Sequence, residues 1–181
     1  MGNPFVSIVA EASAKNWCVR PYCTTCGSRE YRAALAQLAG PLGGPLCDAL
    51  CTLSPDELTR FPRWDEALEV AIRDIPLGLQ VEAVLNAWLP RVGLRPEFDD
   101  VVLFRIVRSL SDGSPTRRNW VRAAVPGAVK TKNHSLIETL VLVLGPGANR
   151  FPELITVASE LAIESKQMSR VLRNVLGEPP A

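Results

Sequence analysis

A chain of 181 residues with 47% hydrophobic and 22% charged residues can build an ordinary core and is too apolar for the disordered class. Its formal net charge of +1 at pH 7 excludes bulk charge as a sign of nucleic-acid binding. The longest apolar run, "LVLVLG" at 140–145, is far too short to span a bilayer.

Abundant Leu, Ala and Arg favour helix. The expected fold is mainly α: a helical bundle or short αα-hairpin stack carrying an N-terminal cysteine-rich metal-binding module. Residues 1–53 form that module in this reading, and residues 54–181 form a helical domain within one compact unit. Charge is spread unevenly. Residues 48–100 hold eleven acids and five bases, whereas 101–134 hold seven bases and Asp112 as their only acid. "MGNPFVSIVAEA" lacks the basic start and long apolar stretch of a signal peptide, and Val6 stands where a myristoylation motif wants Ser or Thr. A cytoplasmic, reducing location is therefore the expectation. The excess of Arg over Lys fits a GC-rich bacterial genome.

Residues 1–27 read as an irregular cap, with "SIVA" as a short strand. A helix is expected from Ser28, with Tyr31, Leu35 and Leu38 on one stripe, ending at the helix-breaking "GPLGGP". A short helix over 45–53 follows, with Pro45 in its first turn. "SPDE" at 54–57 has the pattern of a capping box. A helix after Pro62 places Trp64, Leu68, Ala71, Ile72 and Ile75 on one face. "GLQVEAVLNAWL" continues the pattern until Pro90 and Gly93. "PEFDDVVLFRIVRSL" and "PTRRNWVRAAV" give two more helices, the second stopped by Pro126 and Gly127. "SLIETLVLVL" is nearly apolar throughout and should be central. Over 152–176, Leu154, Ala158, Leu161, Ser165, Met168, Leu172 and Val175 make a heptad-like stripe on one continuous or once-bent helix. It reads as a bundle helix, with a dimerising coiled coil as the alternative. "RFPRWDEAL", "RPEFDDVV" and "RFPELITV" share an Arg and a Pro before a helix, a loose repeat of unequal spacing.

All five cysteines lie within residues 18–51. Cys23-Thr-Thr-Cys26-Gly27 is the spacing at which a tight turn aims two thiolates at one ion. Cys47 and Cys51 would sit one turn apart on a helix. Together they read C-x2-C-x20-C-x3-C, close to zinc-ribbon and treble-clef spacing, so a structural zinc on Cys23, Cys26, Cys47 and Cys51 is expected. Cys18 is the alternate ligand. Cys18-x4-Cys23-x2-Cys26 is also the plant-type ferredoxin spacing for an iron–sulfur cluster, although "VRPY" is bulky for such a loop. Buried thiols without metal are the remaining reading. A thioredoxin-like role lacks its βαβ setting.

The rest of the chain carries no convincing enzyme signature and no evident small-molecule substrate site. His134 has only Ser135 and Glu138 near it and reads as a cap or an exposed side chain. "LGPGANR" and "GPLGGP" have no GK[ST] sequel and read as helix breaks. Asp99-Asp100 and Asp65-Glu66 read as solvated faces. Arg117, Arg118, Arg122, Lys130 and Lys132 form a basic stretch that would meet an acidic surface or phosphates, with Trp120 between them in the core. The expectation is a non-catalytic zinc-binding protein acting on a protein partner. The alternatives are nucleic-acid binding through 117–132 and iron–sulfur redox or sensing.

Overall fold

The computed structural model of the chain describes residues 2–73, 78–105, 107, 110–111 and 113–177, with 78–80 in backbone only. Among them there are α-helices and 3-10 turns and no strand, so the fold is mainly α. The chain divides into two units, Met1–Trp88 and Leu89–Ala181. The sequence suggests a boundary after residue 53; the packing groups the chain around residue 88.

In the first unit the helices are α1 (Pro4–Ala14), α2 (Arg29–Ala39), α3 (Gly44–Cys51), α4 (Pro55–Leu58), α5 (Trp64–Arg73) and α6 (Gly78–Trp88). The expected irregular cap is helical over Pro4–Ala14 and irregular from residue 15 on. Asn3 accepts hydrogen bonds from the amides of Phe5 and Val6 and Pro4 opens the first turn, a strong start signal. Phe5, Val6, Val9 and Ala12 then bury one face. The β-branched "SIVA" suggested a strand, but a strand there would leave its backbone groups without a partner. The expected capping box does not form, because the Ser54 side chain makes no cap hydrogen bond and α4 is a single turn.

Packing joins α1, α2 and α3 to one another, α3 to α6, and α2 to α5. Two buried polar groups are satisfied across that core, as burial demands. The Tyr31 hydroxyl donates to the Ala67 carbonyl at 2.8 Å, and the Trp88 indole donates to the Leu50 carbonyl at 2.6 Å. Each fixes an aromatic ring against a helix that its area alone would not position. Ile75, placed on the α5 stripe by sequence, lies outside the described residues.

The second unit opens with a 3-10 turn at Leu89–Arg91 and continues as α7 (Pro96–Arg105), α8 (Pro115–Thr131), α9 (His134–Leu144), a 3-10 turn at Gly145–Arg150, α10 (Pro152–Glu164) and α11 (Lys166–Leu176). The expected reach of the α7 helix to residue 110 falls partly on positions 106, 108 and 109, which lie outside the described residues. As its apolar sequence requires, α9 is central: it packs against α7, α8, α10 and α11, with Leu136, Ile137, Leu140 and Val141 fully buried.

Two expectations fail here. Pro126 and Gly127 do not stop α8, which runs on to Thr131. Pro126 removes one N–H but is exposed, so the carbonyl it orphans stays open to water. The 152–176 segment is not one continuous helix: it is broken once, into two helices that pack in the bundle. Ser165 is extended (φ −123°, ψ 111°) and its side chain accepts from the Met168 amide, so it ends α10 and caps α11. The two helices fold onto each other as a hairpin, with Leu154, Ala158 and Met168 buried.

Candidate metal centre

The cysteine cluster lies in the irregular segment between α1 and α2. Trp17 closes α1 by donating to the Ala12 carbonyl at 2.8 Å. Val19 is buried and anchors the segment. Arg32 and Arg73 both donate to the Pro21 carbonyl, at 3.4 and 3.2 Å, and the Arg73 guanidinium lies 4.3 Å from the centre of the Tyr22 ring. Ser28, fully buried, is the hub. Its hydroxyl lies 2.7 Å from the Arg20 carbonyl and 3.6 Å from Cys18 Sγ. The serine expected to cap α2 makes no side-chain cap bond, because its hydroxyl serves the loop instead.

This wiring gathers Cys18, Cys23 and Cys26, whose sulfurs all lie within 4.8 Å of one another. Cys23 Sγ and Cys26 Sγ are 3.2 Å apart. Zn–S bonds near 2.3 Å in a tetrahedron set sulfurs about 3.8 Å apart, so small side-chain adjustments would bring these sulfurs to the spacing an ion imposes. Gly27 (φ 61°) and Ser28 (φ 53°) take left-handed conformations and turn amides onto sulfur. The Cys26 amide donates to Cys23 Sγ at 3.5 Å and the Ser28 amide to Cys26 Sγ at 3.4 Å.

These donors set the electrostatics. The Cys26 amide, the Cys26 side chain and the Thr25 amide draw the Cys23 thiol down to about 6. Cys26 moves the other way. The Ser28 amide favours its thiolate, but hydrogen bonding with Cys18 and Cys23, burial and the charge of Cys18 together raise its pKa. One thiolate is thus easily formed and a second is opposed by the first, which is the position a divalent cation reverses.

Cys47 and Cys51 lie on α3 and are not members of the three-sulfur group. Burial of Leu46, Ala49 and Leu50 fixes the roll of that helix, leaving both thiols half-buried beside its core face. The structure therefore brings Cys18 in, although zinc-finger spacing left it aside. Its signal was the x4 interval to Cys23, which sets it within reach of the same turn.

The basic residues separate in a similar way. Arg117 is half-buried and donates to the carbonyls of Leu110 (2.8 Å) and Val143 (2.6 Å), countering the negative C-terminal end of α9. Lys132 pairs with Glu160 at 3.0 Å. Arg118, Arg122 and Lys130 are exposed, Trp120 is fully buried, and His134 is an exposed first residue of α9.

Asp99 is not on a solvated face. It is 3% exposed and accepts the Gly93 amide. Burial raises its carboxyl to about 6, against the pull of the Gly93 and Arg95 amides. Asp100 accepts the hydroxyls of Ser135 (2.5 Å) and Thr139. Both acids serve the packing around α7. No helix among the described residues is long and apolar enough to cross a membrane.

Compared with known proteins, the chain matches no protein family, no curated protein and no solved structure.

Proposed function

We propose that this is a non-catalytic metal-binding helical protein, with Cys18, Cys23 and Cys26 holding one ion, zinc in the first instance, and acting through contact with a protein partner. The observation that carries the reading is the convergence of three sulfurs within 4.8 Å on one short loop, with backbone amides donating to two of them. Thiolates in this number suit zinc or iron rather than hard cations. Bound metal would tie the loop between α1 and α2 into one piece, a staple for a segment with little apolar area of its own. A tetrahedral ion asks for one more donor, and among the described residues no fourth Cys, His, Asp or Glu joins the cluster. Water or a donor from the partner completes the shell in this reading. The half-buried cluster and the exposed Tyr22 beside it give the partner a face to meet. A reducing, cytoplasmic setting keeps the thiols available.

Titration with cobalt(II) under reducing conditions tests this. One equivalent should give intense thiolate-to-metal charge-transfer absorption, lost in Cys18→Ser, Cys23→Ser and Cys26→Ser and kept in Cys47→Ser and Cys51→Ser. Absence of that absorption in the wild type counts against the reading. The iron–sulfur alternative is favoured by one observation, that Cys18 joins the cluster at ferredoxin spacing. Brown protein with stoichiometric iron and sulfide would select it.

A further inference from the structure

The second unit holds a cavity of about 400 Å³, a size that takes one small ligand. It is lined by Arg117, Arg118 and Arg122 of α8, Arg150 of the 3-10 turn and Phe151 at the start of α10, with Val121 among its apolar residues and no acid among the described residues that line it. We propose that this cavity binds a phosphate-bearing small molecule of mononucleotide size, the arginines taking the phosphate and Phe151 facing its planar or apolar part.

Four guanidiniums around one concave space repel one another unless an anion sits among them. Among the described residues, Arg118, Arg122 and Arg150 have no ion-pair partner. Arg118 and Arg122 are one turn apart on α8 and share a face. Arg117 is held in place from behind by the carbonyls of Leu110 and Val143, so its charge is positioned before any ligand arrives. The start of α10 lies at the cavity: Phe151 is its N-cap residue and no side chain makes a cap hydrogen bond there, so first-turn amides are left without a side-chain acceptor. Glu153, the acid of that first turn, is not among the lining residues. Guanidinium forks match pairs of oxyanion oxygens, which favours a phosphate or carboxylate over a halide, and several clustered positive charges favour the more highly charged phosphate over a single carboxylate. A discrete ligand fits better than a nucleic-acid strand. A strand needs a long basic track, whereas Lys132 is paired with Glu160 and Lys130 lies outside the cavity.

The test is calorimetric titration of the full-length protein with AMP, adenosine, inorganic phosphate and a ten-nucleotide RNA at near-physiological salt. The expected result is saturable 1:1 binding of AMP, with adenosine and phosphate each at least about tenfold weaker. Arg118→Ala and Arg150→Ala should each weaken AMP by about tenfold with circular dichroism unchanged, since both side chains are exposed. Arg118→Lys should recover little of the loss, because a lysine keeps the charge and not the fork. Lys130→Ala should have no effect. Adenosine binding as tightly as AMP, no AMP binding at millimolar concentration, or equal losses from Lys130→Ala and Arg118→Ala would each overturn the proposal. RNA binding more than tenfold tighter than AMP and lost with the same arginines would overturn it in favour of a nucleic-acid surface.

Discussion

Cys23 Sγ and Cys26 Sγ stand 3.2 Å apart, with Cys18 completing a triangle no wider than 4.8 Å. The closeness comes from the backbone: two consecutive left-handed residues, Gly27 and Ser28, fold the turn so that amides point at sulfur. Such an arrangement costs chain entropy and crowds three ionisable groups. A shared cation would offset both.

Removing a ligand should therefore loosen the loop before it loosens the helices. Cys26→Ser, or chelation of the wild type, is expected to expose residues 15–28 to limited proteolysis while helical circular dichroism is largely kept. Unchanged protease resistance of that segment would count against a metal staple.

Gly127 packs against the backbone of Gly93 with no room for a side chain at position 127. A Cβ at Gly127 would lie 2.9 Å from Gly93 Cα and 3.1 Å from its carbonyl oxygen, and both are backbone atoms that cannot rotate away. Alanine would gain about 1 kcal/mol of helix propensity. The forced shift should cost more, about 1–3 kcal/mol. Gly127→Ala is expected to lower the melting temperature, and a rise would contradict the close approach.

The carboxyl of Asp99 gives a pH signature. Its pKa stands at about 6 in the folded chain, above the usual 3.8, so the folded state holds this proton more tightly than the unfolded state. The stability it contributes is full below about pH 4 and is lost as pH rises through about 6. Asp99→Asn stays neutral and retains an oxygen for the Gly93 amide. Its stability relative to wild type should rise by on the order of 2 kcal/mol between pH 4 and pH 7. Urea denaturation at both pH values measures it; a difference that does not change with pH would exclude a raised Asp99.

Much of the helical pattern is legible in the sequence because it rests on short-range signals. Pro96, Ser114-Pro115 and Asn133 mark helix starts, and Gly40 and Gly145 close helices where breaks were expected. What is not legible depends on partners distant in sequence. "SIVA" has strand-forming residues, yet it is helical because Asn3 and Pro4 start a helix ahead of it. Pro126-Gly127 looks like a stop, and only Gly93 explains why a glycine is needed there. Ser165 sits within an unbroken apolar stripe, and its extended backbone turns that stripe into a hairpin. At the site, cysteine spacing pointed to metal chemistry. The grouping of Cys18 with Cys23 and Cys26 hangs on Ser28 and Arg20, residues with no ligand signature.

The most direct measurement is elemental analysis of protein purified without chelator, wild type beside Cys18→Ser and Cys47→Ser. One thiophilic metal per chain is expected in the wild type and in Cys47→Ser, falling to a small fraction in Cys18→Ser. Metal-free wild type, or a Cys18→Ser protein that keeps its full complement while Cys47→Ser loses it, would contradict a centre built on Cys18, Cys23 and Cys26.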